Sequence, residues 1–229
     1  MKSLALFVVL LAYSIFSLAQ SKKIFKINPG EKVYATIPKA DIYSYPQFII
    51  GTVQFRANTV GSALMNYNSL LGEMEFINDK GDTLTLDDPI TINYITIAED
   101  TFFYDKGYVR QLMHAGPINL AIKKLISFSN RQKLGGFGEV AASGVDSYNS
   151  LTSPTNLKEM VAREILSFTE YKTYYFGDKF NHFVAASKKS LINLLPNKQV
   201  ELEAYLKEHP VNFTKEEDLL LLMNFLQTI

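Results

Sequence analysis

The chain contains no cysteine and no tryptophan. Without cysteine, disulfides, thiol nucleophiles and thiolate metal sites are all excluded. A bacterial lipoprotein anchor, which needs a cysteine just after the signal, is excluded too. Net charge is also lacking: 23 Lys and Arg balance 23 Asp and Glu in 229 residues, so there is no basic footprint for nucleic acid. After the N-terminal segment no second long apolar run occurs, and no spanning helix is expected in the mature chain. Histidine is scarce. His114, His182 and His209 fit no short metal motif, because zinc needs three or four convergent ligands. No metal or other cofactor is expected.

What the first twenty residues do contain is a secretory signal. Lys2 is their only charge, and Leu4 to Ala12 form an uninterrupted apolar run. Ser17-Leu18-Ala19 then places small residues at the two positions that a signal peptidase reads. The run is shorter than the roughly 20 residues that span a bilayer, so cleavage after Ala19 is expected rather than retention as an anchor. That order predicts an exported protein, whether periplasmic, extracellular or associated with the envelope. Residues 1–19 form the signal peptide and 20–229 a single domain. A chain of about 210 residues is long enough to bury its own core without disulfides.

From about residue 23 to 186 the mature chain reads mostly as strand. Val53 and Phe55 alternate with Gln54 and Arg56, Met74 and Phe76 with Glu73 and Glu75, and Ile118, Leu120 and Ile122 with Asn119, Ala121 and Lys123. Leu84 and Leu86 alternate with Thr83, Thr85 and Asp87. Turn chemistry separates these runs at 78–82, 105–107 and Gly116-Pro117. Residues 157–166 mix helical spacing with strand-like composition, and Ser153-Pro154 offers a helix start. Residues 187–229 read as a helical tail. Ser187 is a candidate cap, Leu202, Tyr205, Leu206 and His209 share one helical stripe, and Thr214 with Glu217 fits a capping box. Leu219, Leu222, Met223 and Leu226 make the last helix strongly apolar on one side. The predicted class is α+β: a mainly antiparallel meander sheet, sandwich or open barrel, followed by about three short helices.

Asn66-Tyr67-Asn68 and the block from Leu71 to Ile77, Leu-Gly-Glu-Met-Glu-Phe-Ile, resemble a pattern in exported proteins of Bacteroidetes-type bacteria. The tail from Lys188-Lys189 through the Leu-Leu-Pro break to Leu226 is similar to theirs as well. The resemblance implies a Gram-negative envelope or exported setting. It implies no activity, since none is assigned to those proteins.

Residues with chemistry to offer are scattered. Glu73 and Glu75 share a strand face, and the expectation is a solvated one. Glycosidase carboxylates face each other across about 5–9 Å, which neighbours on one strand do not. The acidic stretch from Asp79 to Asp88 misses the calcium-loop pattern. Ala142-Ser143-Gly144 is only a fragment of a nucleophile elbow, and the glycines at 135, 136 and 138 are followed neither by a Lys-Ser/Thr pair nor by residues that read as the helix a phosphate cradle needs. An aromatic set remains. Phe137 and Tyr148 lie in the irregular stretch from 135 to 154. Tyr171 and Tyr174 lie on a strand whose alternation sends them to opposite faces. These four are the candidate binding residues, as stacking surfaces for a small ligand, a glycan or a partner protein. The function expected is non-enzymatic, in ligand or partner binding or as a structural envelope protein. The alternative is a secreted or periplasmic hydrolase whose site is spread over several loops.

Overall fold

The computed structural model describes residues 22–134, 140–142 and 154–229. Its alternating apolar runs form twelve strands: β1 (Ile24–Ile27), β2 (Ile49–Phe55), β3 (Val60–Asn68), β4 (Glu73–Ile77), β5 (Thr83–Thr85), β6 (Ile92–Ile97), β7 (Asp100–Tyr104), β8 (Tyr108–Ala115), β9 (Ile118–Leu134), β10 (Val140–Ala142), β11 (Ile165–Gly177) and β12 (Phe183–Ala185). All pair antiparallel in one sheet of order β1-β11-β9-β8-β7-β6-β2-β3-β4-β5, with β10 beside β9 and β12 beside β11. The predicted turns lie at the predicted joints. In the three-residue loop between β7 and β8, Lys106 and Gly107 both have positive φ (54° and 111°), which suits a tight hairpin between right-twisted strands.

The sheet is open but strongly curled. Its inner face gathers Val53, Met65, Tyr67, Ile95, Ile97, Phe102 and Tyr108 into one apolar cluster. Space there is tight: a Cβ on Gly51 would meet Ile97 Cγ1 and Met65 Sδ at 3.0 Å. The curl brings β3 back across to β9, where the Tyr67 hydroxyl donates to the Lys124 carbonyl at 3.0 Å. Just beyond β3, Ser69 accepts from the Ile126 N–H at 2.8 Å.

Two groups of short elements cover the long β9–β11 pair. At one end pack β1, the one-turn helices α1 (Val33–Thr36) and α2 (Lys39–Ile42), and α3 (Pro154–Glu159). Ile27, Val33, Ile37 and Ile42 bury themselves there against Ile126, Phe128 and Phe168. At the other end packs the tail: α4 (Lys188–Leu194), α5 (Gln199–Glu208) and α6 (Glu216–Leu226). Leu191, Leu202, Leu219 and Leu222 cover Leu120, Ile122, Tyr174 and Phe176. Hence the tail is an integral cover of the sheet. No helix among the described residues is long and apolar enough to cross a membrane.

Two local expectations need correction. Ser187 does cap α4, its Oγ accepting from the Ser190 N–H at 3.1 Å, but the Thr214–Glu217 capping box does not form. Thr214 gives both its N–H (2.9 Å) and its hydroxyl (2.7 Å) to the Asn212 side chain instead. Asparagine competes for nearby backbone donors in this way, and the helix then starts two residues later, at Glu216. The second correction is Glu75. It is not on a solvated face but fully buried, because α3 and the segment around Tyr34 and Tyr43 close over it.

Candidate functional site

Between the two covers, one stretch of the inner face stays open. Along β9 the inward positions run Ile118, Leu120, Ile122, Lys124, Ile126 and Phe128, so a lysine interrupts an otherwise apolar series. On β11 the matching series runs Phe176, Tyr174, Lys172, Glu170 and Phe168. Lys172 sits directly opposite Lys124, and Tyr174 opposite Ile122. β8 adds Arg110, opposite Ile122, and Tyr108 two residues before it. β7 adds Asp100 and Phe102, and Glu216 at the start of α6 forms one rim. Together with Tyr43, Ser44 and Tyr67 these residues line a cavity of about 470 Å³.

Each carboxylate in the cleft is engaged. Asp100 accepts from Arg110 Nη1 at 2.8 Å and from the Tyr45 hydroxyl at 2.6 Å. Glu170 lies 3.2 Å from Lys124 Nζ and 4.0 Å from Lys172 Nζ. Glu216 accepts from the Tyr174 hydroxyl at 3.2 Å. The donors are less fully used. Lys124 also reaches the Asp41 carbonyl at 3.3 Å, but Lys172 has no partner closer than Glu170. Tyr108, beside the cleft, is 2% exposed, and its hydroxyl is sealed from solvent without a hydrogen-bond partner among the described residues. Burial first, then the charge of Glu73, raises its pKa well above the ordinary tyrosine value.

A second polar cluster borders the cleft through Tyr43. The buried Glu75 carboxylate accepts from the Tyr43 hydroxyl (2.9 Å), Asn68 Nδ2 (2.9 Å) and Lys158 Nζ (2.6 Å). Tyr34 closes the network, 2.7 Å from the Tyr43 hydroxyl and accepting from Asn68 Nδ2 at 2.8 Å. Burial and the charge of Glu75 hold the neighbouring Glu73 carboxyl above its ordinary pKa. This network is saturated and sealed. It fixes α3 and the Tyr43 segment in place rather than offering free groups to a ligand.

Of the candidate binding residues read from the sequence, Tyr171 and Tyr174 do not come together at either cluster. Tyr174 is 3% exposed, its ring inside the tail cluster, so it cannot act as a stacking floor. Its hydroxyl still touches the rim, through Glu216. Tyr171 is exposed, but on the opposite face of β11, with Lys22 Nζ 5.6 Å from its ring centre. Phe137 and Tyr148 lie outside the described residues. The cleft residues Tyr108, Arg110, Lys124, Glu170 and Lys172 were missed. Their signal is a charge in the inward phase of a strand, as at Lys124 between Ile122 and Ile126. It becomes legible only once the pairing of Lys124 with Lys172 is known. Among the described residues no three His, Asp or Glu side chains group closely enough to hold a metal ion. No family model, curated protein or solved structure matches this chain.

Proposed function

We propose that this is an exported, non-enzymatic binding protein of the envelope of a Bacteroidetes-type bacterium, and that the open cleft between the two covers holds a small polar ligand. Export is supported by the charge-apolar-small order of the first nineteen residues. The Lys172 ammonium, half exposed in the cleft with no carboxylate oxygen nearer than 4.0 Å, carries the binding reading. It stands directly opposite Lys124, and a ligand's polar group beside it offsets the repulsion between the two. The cavity volume falls in the usual small-ligand range of roughly 300–1,000 Å³, and its charged lining favours a polar occupant.

A thermal-shift screen of the mature chain against sugars, acidic sugars, peptides and phosphorylated metabolites tests this. A bound ligand raises the melting temperature by mass action. A hit lost in Lys172→Gln supports the cleft. Hits indifferent to that change and to Arg110→Gln place binding elsewhere, and consumption of the hit during incubation replaces this reading with the hydrolase.

A further inference from the structure

We infer that the cleft recognises an oxyanion, a carboxylate or phosphate group on its ligand, through Arg110 and Lys172; this rests on the cleft being the binding site. The lining is close to neutral in formal charge, so the argument concerns which groups still have bonds to give. Asp100 has both oxygens occupied, one by Arg110 and one by Tyr45. Glu170 is shared between two ammonium groups, and Glu216 is held by Tyr174. Arg110 uses one of its five N–H donors, on Asp100, and its side chain is 37% exposed. The Lys172 side chain is 47% exposed and its ammonium forms no hydrogen bond among the described residues, its nearest carboxylate oxygen being 4.0 Å away. The remaining guanidinium N–H groups of Arg110 and this ammonium are left to bind an acceptor-rich group.

The strand register strengthens the case. Lys124 and Lys172 are directly opposite on an antiparallel pair and face the same way. Like charges in that relation destabilise a sheet. Glu170 compensates only one of them closely. An oxyanion beside Lys172 supplies the missing negative charge. Arg110 reaches the same space from β8, two strand spacings of about 4.8 Å away, on the same face. A planar guanidinium on one side and a point ammonium on the other suit a carboxylate or phosphate between them.

The test is a two-dimensional NMR titration of the mature full-length chain with sodium phosphate, sodium acetate or glucose, sodium chloride holding ionic strength constant. Phosphate or acetate should shift the Arg110 and Lys172 signals, and the stronger of the two identifies the oxyanion; glucose should not. Arg110→Gln and Lys172→Gln should each weaken the anion's apparent affinity about tenfold. Lys172→Arg, which keeps the charge, should retain most of it. Anion shifts confined to lysines outside the cleft, or no anion shifts at all, overturn the oxyanion inference. If the thermal-shift screen meanwhile yields a neutral ligand that depends on Lys172, the cleft remains the binding site and only its chemistry has been misassigned.

Discussion

At Leu120 and Ile122 of β9, and at Phe176 and Tyr174 of β11, the inner face of the sheet is covered by α4–α6 and sealed. One step further along the same strands, at Lys124 and Lys172, it is open and charged. Backbone, pairing and curvature are continuous across that step. Only the side chains change, and with them the solvent. Apolar side chains recruit a helical cover, because burying them is the main favourable term available to a chain without disulfides. Charged side chains on the same surface repel such a cover and keep a cavity in the molecule. The cleft is thus a gap in the cover rather than a hole in the sheet.

The sealed side should break first. Leu222→Asp places a carboxylate where Leu222 is fully buried under the tail, and should cost several kcal/mol in chemical denaturation. A cost below about 1 kcal/mol would mean that the tail is loosely docked.

The Glu75 network is the polar counterpart of that seal. Lys158→Ala leaves a buried carboxylate without its cation. Fully buried pairs lose about 3–5 kcal/mol on such a change, and about 2–3 kcal/mol is expected here because Lys158 is partly exposed. Urea unfolding of the variant measures it.

Alkaline pH probes the border between the two regions. Burial first, then the charge and hydrogen bond of Glu216, raise the Tyr174 pKa from 10.0 to about 12. A folded-state pKa above the unfolded one contributes stability that is complete below pH 10 and lost as pH rises toward 12. Tyr174→Phe should flatten that part of the stability profile, provided the melt is followed across the same window.

In the apolar cluster beside the cleft, Tyr108→Phe should leave the chain as stable as before or more so by about 1 kcal/mol, since it removes an unpartnered buried hydroxyl. A loss of stability instead would show that the hydroxyl is already satisfied. On the open side, Lys172→Gln should have the smallest effect, within about 0.5 kcal/mol of the parent, because the side chain is half exposed and opposes another lysine. That substitution separates the cleft's role in binding from any role in folding.

Much of the fold was legible in the sequence. Period-two runs, the turns at 78–82, 105–107 and 116–117, and the apolar stripes of the tail are local signals, and the α+β architecture follows from them. Ser187 was legible as a cap for the same reason, since its partner is three residues away. The Thr214–Glu217 box failed because a nearer competitor, Asn212, took the hydroxyl.

The sites were less legible. Glu75 reads as a solvated strand residue until Lys158, 83 positions later, arrives on α3 to bury it. Lys124 and Lys172 read as ordinary surface lysines until β9 and β11 pair in register. By itself the sequence determined strand, turn, helix and the apolar faces, because side-chain periodicity depends on neighbours a few residues away. Only the tertiary structure decided which charges are buried, which are paired and which stand open in the cleft. Those outcomes depend on distance in space between segments far apart in the chain.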